Sequence, residues 1–186
     1  IQYKGMANQD DRQAAFNPPP SPNMQDLQTA QNYLGLCLLE GTNLSEGRGT
    51  GEPFKILGAP WIESEQLLKA MLPFLHNNDK LDTVSFIPKS LLGKSVNPKF
   101  QDEICHGLKI IHLQNPINWT IHLFEILESL YPEKFQFLES NFIDKLYGSD
   151  ELRLTIKENK DISILVRMFS VQKDNFDKLR AQYLTN

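Results

Sequence analysis

Apolar positions from residue 27 onward fall into short blocks with two different rhythms, separated by turn-forming residues. Four blocks read as strands. Tyr33-Leu34-Gly35-Leu36-Cys37-Leu38-Leu39 is a continuous apolar run of the kind a buried strand shows. Phe54-Lys55-Ile56-Leu57 is shorter and stops at Gly58-Ala59-Pro60, Thr83 to Ile87 is the third block, and Ile104 to Leu113 alternates around Leu108, Ile110 and Ile111. Other blocks repeat at helical spacing. Leu67, Leu68, Met71, Leu72 and Leu75 share a face, with Glu63 and Glu65 where a helix dipole favours acids. After Asn118, a candidate cap, Trp119, Leu123, Ile126, Leu127 and Leu130 repeat until Pro132.

The C-terminal third is helical throughout. Phe142, Ile143 and Leu146 form a short apolar face ended by Gly148, Ser149 caps a helix carrying Leu152 and Ile156, and a longer helix runs from about Asp161. Strands alternating with helices predict an α/β fold: a small mixed sheet of about four strands, flanked by helices and closed by a helical tail. Residues 1–20 are polar and finish in Asn17-Pro18-Pro19-Pro20, so they read as an extended interdomain connection ahead of a domain over residues 21–186.

The first apolar run empties into Glu40-Gly41-Thr42-Asn43-Leu44-Ser45-Glu46-Gly47-Arg48-Gly49-Thr50. Its glycines allow close backbone approach, and its carboxylates, guanidinium, hydroxyls and amide can hydrogen-bond a polyhydroxylated ligand from several directions. At the end of a strand this composition marks a binding loop. The same residues also form ordinary solvated turns.

Charge narrows the partners. The formal net charge of −4 leaves no basic field for a nucleic acid, and no apolar stretch approaches the roughly 20 residues of a membrane-spanning helix. Cys37 and Cys105 are too few for a disulfide scaffold; both lie in apolar runs read as strands, as buried free thiols or as a pair bridged across facing strands. The four histidines show no metal-ligand spacing, so neither a metal nor another cofactor is expected.

The segment Cys37 to Thr50, followed by Pro53-Phe54 and Gly58-Ala59-Pro60-Trp61, resembles the signature of the exo-β-N-acetylmuramidase (NamZ) family. Ser21-Pro22-Asn23-Met24, Phe86-Ile87-Pro88, Gly93-Lys94-Ser95, Asn97-Pro98-Lys99 and Cys105-His106-Gly107 resemble further segments of it, so the likeness covers most of residues 21–158. It covers the family's C-terminal domain. The resemblance implies a partner Rossmann-like N-terminal domain in the same protein, a cleft between the two, and a bacterial cell-wall setting, periplasmic or secreted. It also implies a peptidoglycan-derived muropeptide or disaccharide as ligand, from which terminal N-acetylmuramic acid is released. A chain that begins at Ile1 then reads as a fragment, inactive alone. In the family the stretch before the domain carries a tryptophan-bearing lid; no tryptophan precedes Trp61 here, so residues 1–20 are at most a lid remnant.

Glycoside hydrolysis needs an acid beside the leaving oxygen and a second group for attack or water activation. Glu46, between glycine-flanked positions, is the candidate catalytic carboxylate, with the main acid expected on the companion domain. Glu40 is a substrate-binding candidate or a structural acceptor for loop amides. Arg48 matches the lactyl carboxylate that distinguishes muramic acid from glucosamine, or forms an ion pair that shapes the loop. Thr42, Asn43, Ser21 and Asn23 can bind sugar hydroxyls or the acetamido group, or form turns. His106 is carried as a binding candidate from its matched segment, and Trp61 can stack on a sugar or pack in the core. The alternative function is a non-catalytic carbohydrate- or partner-binding module on the same fold.

Overall fold

The computed structural model describes residues 19–183, so the connection expected over residues 1–20 lies outside the described residues except for its last two. Among the described residues, six helices and three strands follow one another as α1 (Leu27–Leu36), β1 (Ile56–Ala59), α2 (Ser64–Met71), β2 (Lys80–Phe86), β3 (Cys105–His112), α3 (Pro116–Leu130), α4 (Phe142–Tyr147), α5 (Glu151–Lys157) and α6 (Ser163–Ala181).

The α/β class stands, with two corrections to the sheet. Its order is β1-β3-β2, with three strands instead of about four. Both pairings are antiparallel, so it is not mixed. The missing strand is the run Tyr33 to Leu39, which forms the end of α1 and a 3-10 turn over Cys37–Gly41. A continuous apolar run does not distinguish a buried strand from a buried helix, and the deciding signal lies upstream. Asp26 caps the helix, its carboxylate accepting from the Thr29 backbone N–H at 2.8 Å. Gly35 then lets α1 cross the start of α3: a Cβ there would sit 2.2 Å from the Pro116 carbonyl oxygen.

Two caps also differ from expectation. Pro116 occupies the first turn of α3 and Asn115 is the cap, accepting from the Asn118 N–H at 3.2 Å, because proline is best tolerated where no N–H is needed. Asp150 flanks α5, while the Ser149 hydroxyl accepts from Glu151 N–H at 3.4 Å. Gly148 closes α4 in the left-handed region as read from sequence (φ 95°).

The core joins the helices to the inner faces of β1 and β3, around Leu36, Leu39, Leu57, Leu108, Phe124 and Phe135. Trp119 is buried among them. Although β1 ends the sheet, all four of its residues are buried. Its open edge is covered by the glycine-rich loop: Ser45 N–H donates to the Gly58 carbonyl at 2.9 Å, and Gly58 N–H donates back at 3.0 Å.

Candidate functional site

The Glu40–Thr50 loop leaves a 3-10 turn, not a strand end, and is stitched down on both flanks. On one side Ser45 pairs with β1 as described; on the other, Thr42 bridges to Phe137 and Asn43 N–H donates to the Gln136 carbonyl at 2.9 Å. The Asn43 side chain repeats the attachment, donating to the Lys134 carbonyl at 2.7 Å and accepting from Gln136 N–H at 3.0 Å. Thr42 is wholly buried, its hydroxyl donating to the Leu39 carbonyl and accepting from Leu44 N–H. Both residues therefore hold the loop by hydrogen bonds to backbone.

Gly47 and Gly49 adopt φ of 78° and 79°. A Cβ on Gly47 would also press on Ile56 at 2.8 Å, and one on Gly49 on the Lys89 carbonyl at 2.6 Å. Glycine is required twice over. The resulting turn carries Arg48 outward between two acids. Its Nη2 donates to Glu40 Oε2 at 3.1 Å. Its Nε lies 3.4 Å from Glu46 Oε1, close enough for charge attraction, yet makes no hydrogen bond. The guanidinium carbon sits 5.1 Å from the centroid of the Phe54 ring, which stands edge-on to Tyr33. Burial and the nearby Glu40 charge push the Tyr33 phenol up, keeping it neutral beneath the pair.

Glu46 is nearly buried, with a side chain only 6% exposed. Its Oε2 accepts from Lys99 Nζ at 3.0 Å, and the same ammonium donates to the Leu39 and Leu44 carbonyls at 2.9 and 2.8 Å. Three donors meet three acceptors. Lys99 thus clamps the 3-10 turn, the loop and Glu46 together.

Glu40, Glu46, Arg48 and Lys99 line a cleft of about 440 Å³ whose opposite wall is Ser95–Pro98 and Phe142. Lys99 and Phe142 were not among the candidates read from sequence. Lys99 had a visible signal in the matched Asn97-Pro98-Lys99 segment. The sequence pattern puts Phe142 and Ile143 on one apolar face, but consecutive helical residues point apart: Ile143 is buried, whereas Phe142 stays partly exposed at the cleft.

The remaining candidates lie elsewhere. Asn23 is buried and donates to the Lys94 carbonyl at 3.0 Å, bracing the segment that leads to Lys99, whereas Ser21 forms a local bridge with Met24. His106 lies on β3, its Nδ1 2.8 Å from the Ser85 hydroxyl, in a separate cleft of about 480 Å³ with Glu63, Ser64 and Glu65. Trp61 packs edge-on against Tyr131 with centroids 5.3 Å apart and lines neither cleft. Cys37 is in the 3-10 turn and Cys105 in β3; both thiols are free, and burial, with the Glu103 charge, pushes Cys105 up to about 12. Among the described residues no group of three His, Cys, Asp or Glu side chains could hold a metal ion, and no helix is long and apolar enough to cross a membrane.

Fold and cleft together define an α/β domain with an ion-paired, glycine-rich loop on one wall of a cleft. Residues 31–185 match the family model described as exo-beta-N-acetylmuramidase NamZ, C-terminal, and the chain belongs to that family. It is 31% identical over 169 residues to the peptidoglycan beta-N-acetylmuramidase NamZ of Bacillus subtilis, covering 89% of this chain and 39% of that protein. Two crystal structures of DUF1343 family proteins from Bacteroides fragilis share the fold. One is 26% identical with a TM-score of 0.64, covering 89% of this chain and 43% of the other. The second is 20% identical with a TM-score of 0.75, covering 90% and 44%. The chain thus spans well under half the length of each of these proteins.

Proposed function

We propose that this chain is the substrate-recognition half of a peptidoglycan exo-β-N-acetylmuramidase, acting with a companion domain that supplies the principal acid. The observation that carries the proposal is the state of Arg48. Its guanidinium borders an open cleft and is anchored through Nη2 to Glu40, beside Glu46 and against the Phe54 ring face. A planar cation held so, with donors to spare, suits a carboxylate, and the lactyl carboxylate is the group that separates muramic acid from glucosamine. Phe142 and Val96 give the same cleft an apolar wall for a sugar face. The reading implies a place of action in contact with peptidoglycan, periplasmic or secreted.

A second reading, a carbohydrate-binding module without turnover, is favoured by Glu46. Its two oxygens face Lys99 and Arg48, an arrangement suited to positioning cations more than to proton transfer.

Calorimetric titration of the chain with N-acetylmuramic acid and N-acetylglucosamine tests both readings' shared premise. Arg48→Ala should weaken the muramic ligand by roughly 1.5–3 kcal/mol, the value of a hydrogen bond to a charged group, and leave the glucosamine ligand nearly unchanged. Equal weakening of both would remove the carboxylate argument. Release of muramic acid from a chromogenic muramide by this domain joined to a companion domain, with none from the chain alone, would support the enzyme; no release from either folded protein would support the module.

A further inference from the structure

Helix α6 carries an apolar face that nothing in the described structure covers. Its attachment to the body is made by Leu165, which is buried, and by Val166 and Phe169, which pack against the core. Ile164, Met168 and Val171 follow one another at intervals of four and three residues on a different side of the helix, and are 60%, 39% and 53% exposed. With Gln172 and the stem of Arg167 they line a hollow of about 330 Å³. The stripe continues through Asn175 to Leu179, itself 57% exposed. A helix with a second apolar stripe of this spacing is built to pack against another helix.

The charges beside the stripe say which helix. Arg167 and Asp174 stand one heptad apart on the same flank, and neither belongs to an ion pair among the described residues. Lys173 and Asp177, in contrast, already pair with each other at 2.7 Å on the same helix. In an antiparallel pair of identical helices, flanking positions of this kind face their own counterparts on the other strand in reverse order. Placing the two-fold axis between Met168 and Val171 sets Met168 against Val171 of the partner subunit, and Ile164 against Asn175 of the partner subunit. The same register brings Arg167 to Asp174 of the partner subunit, twice by symmetry. Shifting the register by a heptad loses both ion pairs.

We propose that this face of α6 is a self-association surface, through which two copies of the chain pair antiparallel about the Met168–Val171 midpoint. The surface is independent of the Arg48 cleft, so the inference does not rest on the proposed carbohydrate chemistry. The hollow at Val171 is self-complementary because each copy supplies the apolar side chain that fills the other's. Opposed helix dipoles favour the antiparallel arrangement as well.

Sedimentation equilibrium of the purified 186-residue chain at rising concentration tests this, with circular dichroism confirming that each variant is folded. The native chain should show a reversible monomer–dimer equilibrium, and Val171→Glu should be monomeric throughout. Arg167→Asp should raise the dimer dissociation constant about tenfold, as expected for losing two ion pairs and gaining like-charge contacts. Arg167→Asp combined with Asp174→Arg should restore it, since the swapped charges meet again only in this register. A native chain that stays monomeric at several hundred micromolar overturns the proposal. So does a dimer indifferent to Val171→Glu, and a dimer in which the charge reversal weakens association without rescue refutes the antiparallel register.

Discussion

Lys99 shows how a single side chain can decide the character of the cleft. Its ammonium has three acceptors within 3.0 Å, two of them the backbone carbonyls of Leu39, just before the loop, and Leu44, within it, so no donor is left for a ligand. Its role is to hold Glu46, which in turn fixes the charge environment of Arg48. Removing the cation strands a nearly buried carboxylate, and breaking a buried pair from one side costs about 3 kcal/mol. Lys99→Met should therefore lower the chemical-denaturation free energy by about that amount. Adding Glu46→Gln should recover most of it, because the amide needs no counter-charge. A Lys99→Met protein as stable as the parent would show that the clamp contributes nothing. Arg48 and Glu46 were legible in the sequence from their glycine-flanked loop, whereas Lys99 was marked only by its matched segment and its clamping role was not legible. Its partners are 53 to 60 residues away in the chain, a separation that no local pattern encodes.

At the scale of elements, the crossing of α1 over α3 organises the route into the loop. The apolar run from Tyr33 to Leu39 reads as a strand because it is apolar at every position, including Leu34, which is 64% exposed, so its residue types carry no helical rhythm. Gly35 is the visible trace of that crossing. Gly35→Ala would set a Cβ 2.2 Å from a backbone oxygen of the first turn of α3, which cannot swing aside as a side chain would. The substitution should destabilise the domain by about 2–3 kcal/mol despite alanine's better helix propensity. A thermal midpoint unchanged or raised would mean that the two helices are not held at this distance. The strands β2 and β3 and the helices α2 to α6 were read within a few residues, since each keeps one solvent-facing side and so keeps its rhythm.

Across the whole molecule, ion pairs tie distant parts of the chain together and set its response to acid. Burial raises the Asp26 carboxyl, but hydrogen bonds from Lys55 and Thr29 outweigh it and hold the group below its ordinary value of 3.8. Arg153, donating through Nε and Nη2 at 2.8 and 2.6 Å, holds Asp144 below the same value and links α4 to α5. A carboxyl held below its unfolded value stabilises the fold above that value, and the contribution is lost as pH falls through the lower folded one. Urea midpoints should accordingly stay level from about pH 7 to 5 and drop below about pH 4. Asp144→Asn should be less stable at neutral pH and show a shallower acid drop; a parallel curve would exclude this pair from the response.

Local patterning was sufficient for the α/β class, most of the helices and the loop that bears Arg48. These follow from side-chain chemistry and from spacings of two to four residues, which the chain carries in itself. The sheet's three antiparallel strands, the helical identity of the Tyr33–Leu39 run, the Lys99 clamp and the placement of His106 in a different cleft from Arg48 depend on contacts between residues far apart in sequence. Such contacts are set by how faces pack and edges are covered once the chain has closed on itself. Ser45 shielding the β1 edge is the plainest case, for nothing in its neighbourhood marks it as the partner of Gly58.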